Sequence, residues 1–225
     1  GFPALVRCRW QPIALAALLF YAPAVITFAA VRVEPLRVHQ LVPAEMVARA
    51  ESAPAREAAG QGYIDVPEVL MPVFASGIIA NTVQVTFAAF AGGMLAGLGT
   101  LGILVFNGVH LGAVAAAFAN HGASLNLWTF VLPHGVLELT AICIAGGAGL
   151  WLAAAIVVPG RRTRPEALVT NAKEAVSLLG GAAVLLVAAG LIEGFVSPAE
   201  IARGAKLAFA AVVGMLMVGY LGVAG

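Results

Sequence analysis

The sequence predicts an all-α fold, a polytopic transmembrane helix bundle, and three observations carry that reading. The 225-residue chain is 61% hydrophobic and only 10% charged, against about 25% charged residues in a soluble domain. Its mean hydropathy is +0.99. Its apolar residues fall in runs of roughly 20 or more, the length that crosses about 30 Å of hydrocarbon. There are too few polar groups to cover a water-facing surface, so the lipid bilayer is the main solvent. Six spans follow, at 12–31, 69–98, 101–119, 127–158, 167–195 and 201–223, with one longer polar extracytoplasmic loop at 32–68.

The first residue is Gly1, not Met, so the chain reads as a fragment or a processed form. Arg7 and Arg9 precede the apolar run Pro12–Val31. That run exceeds a signal-peptide core of roughly 7–15 residues, so it reads as a retained transmembrane helix. The stretch Arg32–Glu68 mixes basic and acidic residues whose signs nearly cancel, as in a solvated loop. Within it, Pro43 is placed to open a short helix, and Glu45 and Arg49 are spaced as an i,i+4 pair. Asp65-Val66-Pro67-Glu68 has the form of a helix start.

The second span carries Asn81 and Gln84, then a G-x-x-x-G pair at Gly93 and Gly97. Missing side chains let another helix approach closely, and packing drives association in lipid. Gly99-Thr100 and Gly102 predict a tight turn. The third span holds Asn107, His110 and a second glycine pair, Gly108 and Gly112. After a polar turn at Asn120–Ser124, the fourth span contains Pro133, His134 and Glu138. Pro159–Pro165 is a basic loop with Arg161, Arg162 and Arg164. The fifth span ends near Glu193, with Gly194 placed to cap it, and Ser197-Pro198-Ala199-Glu200 resembles a capping box for the sixth. An N-terminus inside the cell puts Arg7, Arg9 and the Arg161 cluster on the cytoplasmic side, although Arg203 and Lys206 then fall outside.

From Val69 to Gly160 there is no Asp, Lys or Arg, and Glu138 is the sole acid. His134 precedes it by four residues, one helical turn away on the same face. An ionisable residue inside such a segment is expensive in lipid and marks a functional candidate. Asn81, Asn107, His134, Glu138 and Glu193 form the candidate intramembrane polar site. Several readings of it stay open. Interhelical hydrogen bonds would fix which helices pair. A transport or proton-relay site would lie near the midplane on interrupted helices. A metal site would need His110 or Glu193 as a third ligand, and H-E-x-x-H is absent. No nucleophile–base pair, metal set or cofactor motif is identifiable, so no catalytic, metal-binding or cofactor-binding residue is assigned. Cys8 and Cys143 are isolated, and a net charge of +1 without a basic stripe argues against nucleic acid.

Taken in order, Asn81 and Phe87 precede the glycine-rich Gly92–Gly102 segment. Asn107-Gly108 with Gly112, Pro133-His134-Gly135 with Glu138, and Ile192-Glu193-Gly194-Phe195 follow. This pattern resembles the stage II sporulation protein M family of integral membrane proteins. The resemblance implies a multi-pass protein of the bacterial cytoplasmic (inner) membrane. It implies a non-enzymatic scaffold, which in spore formers works with peptidoglycan-degrading partners during engulfment. It implies no catalytic residue. A small-solute or ion transporter with a midplane His134/Glu138 site is the rival reading. The glycine faces allow a homo-oligomer without requiring one.

Overall fold

Ser124–Val157, helix α7, is the element that the other spans pack around. A computed structural model describes residues 1–59, 63, 71–197 and 201–224, with side chains at all of these except 71–75 and 78. Among the described residues there is no strand. The helices are α1 (Phe2–Cys8), α2 (Trp10–Val33), α3 (Val38–Leu41), α4 (Ala44–Ala58), α5 (Met71–Ala91), α6 (Leu98–Asn120), α7, α8 (Arg164–Phe195) and α9 (Arg203–Val223). The all-helical bundle expected from composition is what forms. Helices α2, α6, α7, α8 and α9 are each long and apolar enough to cross a membrane. The second predicted span corresponds to α5, where the described apolar stretch is the shorter Ile79–Leu95. Helices α7 and α8 are each about 50 Å long at 1.5 Å per residue, so they tilt in the hydrocarbon or project beyond it.

The chain turns earlier after α5 than its hydropathy indicates. Helix α5 ends at Ala91, a 3-10 turn covers Gly92–Leu95, and Ala96 (φ 53°) and Gly97 (φ 86°) are left-handed. Gly97 therefore serves the turn, where a positive φ suits glycine. It also packs closely, since a Cβ there would lie 3.1 Å from the Ala153 Cβ of α7, and Gly102 lies within α6. Gly93 is still a close-approach point, because a Cβ there would sit 2.0 Å from the Gly149 carbonyl oxygen of α7. The second pair packs as expected. A Cβ at Gly108 or Gly112 would fall 2.1 Å from the carbonyl oxygen of Phe20 or Ala24 on α2. Pro133 sits inside α7 without ending it. It is buried against neighbouring helices, the setting in which a membrane helix tolerates proline.

The polar stretch after α2 is more than a solvated loop. Val38, Val42, Val47, Ala50 and Ala53 form a core with α6 residues Ala113–Phe118 and with Leu127 of α7. Helix α4 opens after Pro43 and lies across that end of the bundle. Glu57 pairs with Arg203, tying α4 to the start of α9. At the opposite end, Arg9 forks onto Glu174 at 2.6 and 2.9 Å and lies 4.0 Å over the Trp151 ring. Arg7 donates to the Leu221 and Ala224 carbonyls at 2.8 and 3.0 Å, placing a cation at the C-terminal end of α9. The capping sequences expected at 65–68 and 198–200 lie outside the described residues.

Candidate functional site

Glu138 is turned into the bundle. Its side chain is 13% exposed and accepts a hydrogen bond from the Thr82 hydroxyl of α5. One turn earlier, His134 Nδ1 lies 2.8 Å from Ser197 Oγ, while its Nε2 is 3.9 Å from Glu138 Oε2. The second distance is an electrostatic contact and is too long for a hydrogen bond. The Phe130 ring meets His134 edge-on at 5.6 Å and stacks on Tyr63 at 4.6 Å. The imidazole is thereby fixed from three sides.

Glu138, Thr82, His134, Phe130 and Tyr63 line a cavity of about 510 Å³. Asn81 and Thr82 from α5, Asn107 and His110 from α6, and His134 and Glu138 from α7 supply its polar wall. Phe20, Val85, Leu111, Leu127, Leu139 and Ile142 supply its apolar wall. Pro43, Glu45, Met46, Arg49 and Tyr63 close the end under the outer layer. Asn81 is exposed on α5 at the edge of the cavity. The volume lies in the range of about 300–1,000 Å³ typical of small-molecule sites.

The roof is held by its own contacts. Arg49 donates to the Tyr63 carbonyl at 3.2 Å, and its guanidinium lies 5.5 Å from the centre of the phenol ring. The Tyr63 hydroxyl donates to Met46 Sδ at 3.8 Å. Burial pushes the Tyr63 phenol up, opposed by Arg49 and Arg56.

Four of the five predicted polar residues, Asn81, Asn107, His134 and Glu138, share the cavity. Asn107 spends one donor on the Ile103 carbonyl at 2.8 Å, which leaves its amide oxygen to the cavity. His110 lines the wall and meets the Leu41 backbone. Gln84 is exposed and lies apart. Glu193 departs from expectation. It does not cap its helix near water but is 1% exposed, and α8 continues to Phe195 with no left-handed glycine at 194. Among the described residues no group of three or more His, Cys, Asp or Glu side chains could hold a metal ion. Thr82, Ser197, Arg49 and Tyr63 also belong to the site; the sequence marks Arg49 only as half of a helical ion pair and Ser197 only as a helix cap.

Membrane-length helices around a polar chamber define a polytopic α-helical membrane protein. The chain belongs to the stage II sporulation protein M family, whose model matches residues 16–198. It is 28% identical over 123 residues to Uncharacterized protein MJ0793 of Methanocaldococcus jannaschii, covering 54% of this chain and 69% of the relative. No solved structure matches it.

Proposed function

We propose that the protein is a small-solute or ion transporter of the bacterial cytoplasmic membrane, with its N-terminus inside and no enzymatic step. The observation that carries this reading is the cavity that reaches Glu138 between α5, α6 and α7. A carboxylate, an imidazole and two amides around one chamber offer donors and acceptors to a small polar or cationic solute. The test is flux through proteoliposomes, read by light scattering after challenge with sodium chloride, potassium chloride, glycerol or glycine. At least one probe should cross faster than in protein-free vesicles. Glu138→Gln should slow that flux by about tenfold, equivalent to about 1.4 kcal/mol. Rates equal to empty vesicles for all four, or unchanged by the substitution, would remove this reading.

A scaffold for peptidoglycan-remodelling partners is the second reading, favoured by the folded outer layer. Helix α4 buries Val47, Ala50 and Ala53 and exposes Glu45, Ala48, Glu51 and Ala55 as an outward face. On this reading Ala48→Lys with Glu51→Lys lowers the recovery of cross-linked envelope partners and leaves solute flux alone, while Glu138→Gln does not affect recovery unless it unfolds the protein. A homo-oligomer would need a surface other than Gly108 and Gly112, which α2 already fills.

A further inference from the structure

Glu193 is the buried ionisable group that the cavity leaves unexplained. Helices α7 and α8 are antiparallel neighbours joined by a short loop. His134 of α7 meets Ser197, two residues beyond the end of α8, at 2.8 Å. One turn forward along α7 lies Glu138, and one turn back along α8 lies Glu193, so the next rung sets the two acids against each other. Their charges are close enough to repel. Glu193 is 1% exposed, and among the described residues neither of its carboxyl oxygens has a hydrogen-bond partner.

The groups facing this rung offer little compensation. Helix α7 contributes His134 and Glu138, and α5 carries no titratable residue. The nearest cation from α9 is Lys206, whose Nζ donates to the Ser197 carbonyl at 2.7 Å. Helix α1 packs on the far end of α8, where Arg7 is committed to α9. Two neighbouring negative charges are strongly disfavoured in so apolar a setting. A single proton removes one charge and supplies the missing O–H donor.

We infer that Glu138 and Glu193 hold one exchangeable proton between them, with Glu138 as the partner open to the cavity and Glu193 as the dry one. This rests on the transport reading, because Glu138 must be reachable by water from the chamber. The proton enters from water onto a Glu138 oxygen. It then moves to Glu193, one O–H bond breaking as the other forms, and the pair keeps a single negative charge. A cationic solute that occupies the Glu138 carboxylate finds the proton already stored on Glu193.

Dicyclohexylcarbodiimide, an apolar reagent that attacks protonated carboxyl groups, tests this on the purified protein in liposomes in choline buffer at neutral pH. Mass mapping should find one adduct per chain on this pair, mainly at Glu193. Glu193→Gln should lose the adduct at that position, and the double variant Glu138→Gln/Glu193→Gln should lose it entirely. Glu193→Gln should melt no lower than the parent, since its amide N–H can donate to Glu138 in place of the carboxyl O–H. No adduct at either glutamate, two adducts in one molecule, or protection by sodium in place of choline would each overturn the proposal. Failure of the cavity reading is separable: the reagent enters through lipid, so labelling persists even if water-soluble reagents cannot reach the chamber.

Discussion

His134 is the best-anchored residue in the polar site. Its Nδ1 meets Ser197 Oγ at 2.8 Å, its ring takes the edge of Phe130, and its Nε2 looks toward Glu138. Losing the hydroxyl leaves a buried ring nitrogen without its partner. Ser197→Ala should therefore cost about 1–3 kcal/mol of stability, read as a lower melting temperature in detergent. An unchanged melting temperature would mean that the bond does not hold the segment after α8. His134 and Glu138 could be found from the sequence because Glu138 is the sole acid between residues 69 and 160. Thr82 and Ser197 could not. Hydroxyls in these helices commonly bond their own backbone, as Thr86, Thr129, Thr140, Thr170 and Ser177 do to the carbonyl four residues earlier. Spacing alone does not reveal which hydroxyl turns outward to a partner. Glu193 was visible as a charge, but its distance from water was not, because burial depends on where the next chain segment packs.

Helix-to-helix contact explains why glycines of similar appearance do different work. In α6 a Cβ at Gly108 would collide with the Phe20 backbone, whereas one at Gly102 would meet nothing within 4 Å. Gly108→Ala should lower the melting temperature by separating α2 from α6. Gly102→Ala should hold or raise it, since alanine favours a helix by about 0.5–1 kcal/mol. Equal effects at the two positions would contradict this packing. The end of α5 illustrates what hydropathy misses. Met94, Leu95 and Leu98 continue the apolar pattern straight through a break made by the backbone angles of Ala96 and Gly97. The same holds for α4, whose apolar side was diluted among charges until Val47, Ala50 and Ala53 were seen against α6. Val47→Asp should detach this layer, making Arg49 and Tyr63 accessible to protease in membranes that leave the spans intact.

At the scale of the whole molecule the two ends of the bundle differ. Arg32, Arg37, Arg49, Arg56 and Arg203 at the α4 end all have partners in the outer layer or the adjoining turn. At the other end Arg161 and Arg162 stand exposed on the loop between α7 and α8. That loop is the segment expected to stay inside. The chamber lies under α4 and reaches inward as far as Asn107 and Glu138, and the transport reading requires water to enter it from the α4 side. Cysteine accessibility in oriented membrane vesicles tests this most directly. The background is Cys8→Ser/Cys143→Ala, with His121→Cys as the exposed control and Val184→Cys as the lipid-facing control. A membrane-impermeant thiol reagent added from outside should modify Asn107→Cys and His121→Cys but not Val184→Cys, and Arg161→Cys should react only after the membrane is opened. An Asn107→Cys thiol that stays unmodified from both sides while His121→Cys reacts would mean a dry, closed bundle around Glu138 and would contradict the account.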